Sequence, residues 1–282
     1  MKNRRKFFDQ LATKYNNKIF LESDPIDFCY RYNNKNDIEV IGFISALFSY
    51  GNVFSIKKHL EILFNLFGKS PHTFIKKGNF INIESKIPKY RFQTSEDILL
   101  FLKSLSFILN NSISLEKLFF SENPNALLNE NIVYFQNYFT EITKHLTKKN
   151  KLSYGLTFLI GSGKLSSSHK RYCMFLRWMV RDSFPDFGFY TSIKKENLIY
   201  PTDVHIVRLS RILGFSNRRT VDFTLAKYIS EQFKLFNQND PLLYDFPLSR
   251  LGILNICKTK YIPEICEKCE IKNICNIYND VN

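Results

Sequence analysis

Residues 152–181 read LSYGLTFLIGSGKLSSSHKRYCMFLRWMVR, and this stretch decides the fold class. Apolar residues recur at helical spacing on both sides of a turn made by Gly161, Ser162, Gly163 and Lys164, which predicts one helix over 152–160 and another over 168–181. Tyr172, Phe175, Leu176 and Met179 share a stripe of the second helix and are expected in a core, with Trp178, the only tryptophan, packed there too. Lys170, Arg177 and Arg181 fall on another stripe, within reach of a polyanion. Helix, glycine turn, helix is also a shape that offers backbone amides to a phosphate.

The same period extends along the chain, whereas alternating segments bounded by hairpin turns are missing, so the class is all-α. Asp37 to Tyr50 reads as a buried helix stopped at Gly51, and a second runs from Val53 to Gly68. Thr94 or Ser95 caps a helix with Glu96 and Asp97 in its first turn, running to Leu109. Further helices are expected at 125–148, 203–213, 220–235 and 241–253, with Asp240, Pro241 and Asp245 as helix-start chemistry. Residues 78–93 and 184–200 read as loops.

Lys and Arg outnumber Asp and Glu by 40 to 26, a net charge of +14 that points to a polyanionic partner or an anionic membrane surface. Residues 164–219 hold eleven of the basic side chains against four acidic ones, which makes that segment the expected place for phosphates. The longest apolar run, Val40 to Tyr50, is well short of the roughly twenty residues of a membrane span, and no signal-peptide pattern follows the basic start. A cytoplasmic protein with no membrane partner is expected.

Four of the six cysteines, Cys257, Cys266, Cys269 and Cys275, follow the spacing C-x8-C-x2-C-x5-C, whereas Cys29 and Cys173 stand alone in apolar surroundings. In a reducing compartment such clustering favours a tetrathiolate metal site, iron–sulfur or zinc, over disulfides. Lys258 lies between the first two cysteines, where a loop held by a metal would present it to a phosphate.

Asp203 ends a loop, opens the helix expected at 203–213, and can cap it through an early backbone N–H. Lys170 is either a phosphate-contacting lysine or a nucleophile. An amine that attacks a sugar carbon must react neutral, and a helix start beside further cations, here Ser168, His169, Lys170 and Arg171, suits that requirement.

The tail resembles the cluster of endonuclease III-type glycosylases, C-x6-C-x2-C-x5-C, with a first gap two residues longer. Pro201-Thr-Asp-Val-His205 resembles the segment that carries the catalytic aspartate of 8-oxoguanine glycosylases in the helix-hairpin-helix superfamily, and Lys170 matches the lysine slot at the start of the hairpin's second helix. Lys164 is the competing lysine. Glu39–Asn52, Lys89–Phe92 and Phe175–Arg181 together resemble a bacterial branch of that superfamily.

The resemblance implies a two-lobed glycosylase-like fold with a C-terminal four-cysteine loop, a central lobe at 36–184, and a second lobe from 1–35 with 185–282. It implies a [4Fe-4S] cluster, zinc being the alternative, and a monomer that excises a flipped, damaged base from duplex DNA with abasic-site lyase chemistry at Lys170 and Asp203. Asn52 would enter the gap left by the base, or simply mark a helix end. Gly161, Gly163, Lys164, His169, Arg171, Arg177, His205, Arg208 and Lys258 would hold the backbone, although His205 reads equally well as a packed histidine. A DNA-binding, lesion-sensing protein without turnover is the alternative function.

Overall fold

The computed structural model describes residues 2–111, 114–120 and 126–281. In chain order the α-helices are α1 (Lys2–Tyr15), α2 (Lys35–Leu47), α3 (Val53–Asn65), α4 (Pro71–Lys77), α5 (Ser95–Asn111), α6 (Leu115–Phe120) and α7 (Leu128–Thr147). They continue with α8 (Tyr154–Ile160), α9 (Lys170–Val180), α10 (Val204–Ile212), α11 (Phe223–Lys234), α12 (Asp245–Ile253), α13 (Pro263–Cys266) and α14 (Asn276–Asn279). Among the described residues there is no strand, only an isolated bridge between Tyr90 and Gln93, so the chain is all-α as its periodicity predicts. None of those residues forms a helix long and apolar enough to cross a membrane.

The expected helices appear with ends moved by a few residues, while α1, α4, α6 and the short helices of the tail go beyond the expectation. The helix expected from residue 125 is seen from Leu128, and residue 125 itself lies outside the described residues. The segment expected as one helix at 241–253 begins as a 3-10 turn, Pro241–Tyr244, and becomes α-helical at Asp245. Short helices of four to seven residues such as α4 carry too few periods for an amphipathic stripe to show in sequence.

The chain divides into two compact units, Pro25–Leu165 and Met1–Asp24 with Ser166–Asn282. The sequence places these boundaries at 36 and 184, so residues 166–184 belong with the terminal unit and 25–35 with the central one. The physical reason for the first shift lies in α9, whose Arg177 and Arg181 form ion pairs with Asp186, Asp240 and Asp245 of the terminal unit.

In the central unit, α5 packs on α4, α7 and α8, and α2 on α4. Phe43, Phe101, Phe135 and Phe139 meet in its core, with the Phe101 and Phe139 rings stacked at 5.2 Å. In the terminal unit, α12 packs on α1 and α10. Phe8 of α1 meets Phe233, Phe236 and Tyr244 at 5.0–5.4 Å, and Tyr244 Oη donates to Asp9 Oδ1 at 2.7 Å. The first residues of the chain are thus tied to its last third by ring packing and hydrogen bonds together.

Candidate functional site

The glycine turn begins where α8, capped at Ser153 by a 3.0 Å bond from the Leu156 amide, stops at Gly161 with φ 110°. Gly163 follows with φ 65°, and both glycines lie so close to Gln136 and Asn137 of α7 that a Cβ at either would collide with them. The Gly163 amide donates to Gln136 Oε1 at 3.2 Å. Close packing on α7 therefore accounts for both glycines, and one of the amides expected to face a phosphate already has a protein acceptor. Lys164 is exposed.

On α9, His169 is the N-cap in the left-handed region at φ 48°, and Lys170 is the first helical residue, half-buried like Arg171. Tyr172, Phe175, Leu176, Trp178 and Met179 are buried as the stripe predicts. Burial pushes the Cys173 thiol up to about 12, which makes it inert. His169 and Arg177 correct two of the expected phosphate contacts. His169 is buried with its ring 6.3 Å from Phe223, and Arg177 is buried in an ionic network.

Arg177 Nε binds Asp186 at 3.2 Å and its Nη1 binds Asp245. Arg181, which is 1% exposed by side chain, forks onto Asp240 with bonds of 2.8 and 2.9 Å and also binds Asp186. Two residues of the stripe expected to face a polyanion, Arg177 and Arg181, instead meet the protein's own carboxylates. Burial raises the Asp186 and Asp245 carboxyls, Asp245 to about 6, against the pull of the arginines. Asp203 also contributes to the rise at Asp245, because its charge disfavours a second one nearby. The acids at 186, 240 and 245 are the available sign that the arginines have internal partners, but only Asp186 is near in the chain, Asp240 and Asp245 lying 59 and 68 residues from the arginines they bind.

Asp203 is the N-cap of α10, and its Oδ1 accepts from the Ile206 amide at 2.7 Å. Two residues and one further turn along the helix, His205 and Arg208 line a polar depression with Leu209, Asn255, Cys257, Lys258 and Thr259. The His205 ring lies across Gly252, where any side chain would collide with it. Arg208 and Lys258 are exposed, His205 half-buried. This concave surface brings together three cationic or titratable groups from α10 and the segment after α12, which suits a phosphate.

Cys257, Cys266, Cys269 and Cys275 line a single neighbouring cavity, with Leu209, Ile212 and several isoleucines as its apolar wall and Lys258, Lys260 and Lys272 at its edge. None of the four is in a disulfide. Burial pushes Cys269 up to about 11, and the charges of Cys257 and Cys275 add to the rise. Four thiols are the donor number of an iron–sulfur cluster or of zinc. Among the described residues no three Cys, His, Asp or Glu side chains are gathered as around a single ion.

Lys170, Asp203, the cationic depression and the cysteine cavity all lie in the terminal unit, whereas Gly161, Gly163, Lys164 and Asn52 lie in the central one. Asn52 is exposed and begins α3 as its N-cap, accepting from the Ser55 amide at 2.8 Å.

The profile of a family described as a protein of unknown function (DUF2400) matches residues 24–254. No curated protein and no solved structure matches the chain. No helix-hairpin-helix glycosylase profile matches, and the matched family is a distinct one, so the superfamily membership that the sequence motifs imply is corrected. Several of those residues have structural causes within this chain: the glycines fit against α7, Asp203 caps α10, and Arg177 and Arg181 serve internal ion pairs. The match contains Lys170 and Asp203 and ends before the cysteine tail begins at Cys257. The chain belongs to the DUF2400 family.

Proposed function

We propose that the protein binds duplex DNA and excises a damaged base from an extruded nucleotide, with Lys170 as nucleophile and Asp203 as its carboxylate partner. The observation that carries this reading is the surface of α10. A carboxylate at its first turn is followed on the same helix by His205 and Arg208, which with Lys258 form a concave cationic face. Phosphate held there would bring a sugar–phosphate backbone to the end of the helix that carries Asp203. Lys170, in the same unit, is placed at a helix start where the backbone dipole opposes a second positive charge.

In the proposed chemistry Lys170 Nζ bonds to C1′ as the glycosidic bond breaks, and the base leaves with the electron pair and takes up a proton. Asp203 accepts the proton that the amine gives up. Ring opening yields an imine, and loss of a C2′ proton then breaks the C3′–O bond. Extrusion costs a few kcal/mol of unstacking, less at a damaged pair. Arg171, in the same unit as Lys170, supplies a further backbone contact in this reading.

In this reading Cys257, Cys266, Cys269 and Cys275 would hold a tetrathiolate centre, a [4Fe-4S] cluster or zinc, and their lining of one cavity supports it. When bound, the centre supplies folding energy to the tail and no step of the reaction.

The experiment is borohydride trapping on duplexes that carry an abasic site, uracil or 8-oxoguanine. A covalent adduct that disappears in Lys170→Ala supports the reading, and an adduct that persists in it refutes the assignment of Lys170. A second reading, DNA binding without turnover, draws on the bond from Ile206 to Asp203, which already occupies one carboxylate oxygen. It predicts tight binding and no adduct on any duplex.

A further inference from the structure

The segment Lys89–Phe92 has no part in the proposed chemistry, yet it is built with unusual care. Tyr90 and Gln93 pair through both backbone bonds, at 3.0 and 2.8 Å, so that Arg91 and Phe92 stand at the tip of a tight turn. Arg91 adopts φ 48°, a conformation that costs a non-glycine residue of order 1 kcal/mol or more and that persists only where the surroundings enforce it. Those surroundings are explicit. Tyr90 Oη donates to the Tyr50 carbonyl at 2.7 Å, Tyr50 Oη bonds Gln93 Oε1, and Gln93 Nε2 donates to the Gly155 carbonyl at 2.8 Å.

The turn displays aromatic faces that a core would normally cover. Phe92 is 42% exposed and Tyr154, at the start of α8, is 68% exposed. Phe92 stacks parallel to Tyr50 at 6.2 Å and meets Phe158 and Tyr154 edge-on at 4.8 and 5.5 Å. The Arg91 guanidinium lies 5.8 Å from the Tyr50 ring and 5.5 Å from the Phe92 ring. It fits there because residue 51 is glycine: a Cβ on Gly51 would stand 2.6 Å from Arg91 Nη1. All of these residues belong to the central unit.

We infer that Tyr50, Phe92, Tyr154 and Phe158, with Arg91, form a stacking platform for the unpaired nucleobases of a single-stranded nucleic-acid segment. An aromatic face takes any base without sequence preference, and a guanidinium beside it supplies both cation–π contact and a phosphate partner. Charge favours this occupant over an apolar protein helix, since Lys89 flanks the turn and Lys151 precedes α8, both exposed. The turn that carries Phe92 is held by hydrogen bonds before binding, which spares part of the ordering cost of a flexible loop. The inference rests on the nucleic-acid reading given above, but it concerns a different unit and different residues.

The test uses the full chain with fluorescein-labelled oligothymidylate and with an intact duplex, read by anisotropy across a salt series. Phe92→Ala and Tyr154→Ala, each confirmed as folded by circular dichroism, should weaken oligothymidylate binding about tenfold to a hundredfold while leaving the salt slope unchanged. Phe92→Trp should restore binding. Equal affinity of wild type and both alanine variants overturns the platform while the DNA reading stands. If the wild type binds duplex but no single strand, the platform fails alone. If it binds neither, the nucleic-acid reading falls with it and the aromatic face is left for a protein partner.

Discussion

His59 offers a test of the structure that needs no knowledge of a substrate. Its imidazole is 5% exposed, packed between Phe48 at 4.9 Å and Tyr90 at 4.4 Å, and its Nε2 has no hydrogen-bond partner among the described residues. Burial alone lowers its pKa from 6.5 to about 4. The folded chain therefore resists a proton that the unfolded chain accepts at 6.5, so the stabilisation is present at neutral pH and is lost as pH falls through the window from 6.5 to 4. At about 1.4 kcal/mol per unit, the loss is about 2 kcal/mol by pH 5 and about 3 kcal/mol by pH 4.

His59→Phe removes the titration and keeps an aromatic ring between the two neighbours. Urea unfolding of wild type and variant, followed by circular dichroism at pH 7, 5 and 4, should give a stability difference that moves in the variant's favour by about those amounts. The comparison between variants cancels the titration of every other group. Parallel curves across the acid range would show that His59 is not held neutral by burial, and the packing around the Tyr90 turn would have to be wrong.

Arg181→Met leaves Asp240 buried without its cation and Asp186 with Arg177 alone, and should cost about 3–5 kcal/mol in thermal or urea unfolding, with Arg181→Met plus Asp240→Leu costing less than the sum of the two single changes. A loss within the noise of a surface substitution would contradict the buried network. The purified protein should carry metal on its four cysteines, and Cys269→Ser should remove it, measured as iron, sulfide and zinc content with absorbance near about 400 nm separating cluster from zinc. Metal content unchanged in Cys269→Ser counts against the cavity as the site. Lys258→Ala and Arg208→Ala should each lower the slope of log binding constant against log salt on duplex DNA by about 1, while Arg177→Lys should leave the slope alone.

The all-α class and most helix positions are legible in the amino-acid order alone, because a stripe of apolar residues at period 3.6 is a local property of each segment. That Asp203 starts a helix is legible there too, since an N-cap bond closes within three residues. Tertiary structure decided the rest, in each case through partners distant in the chain. Arg177 and Arg181 share a helical stripe with Lys170, and nothing local distinguishes a solvated arginine from a buried one. Only folding brings Asp240 and Asp245 against them, about sixty residues away, and turns an expected phosphate contact into an internal ion pair. The glycines of the turn likewise took their meaning from Gln136 and Asn137, and the Arg91 turn from Gly51 and Gly155. Periodicity reports which side of a helix is apolar, but charge pairing and close approach depend on what arrives on the other side.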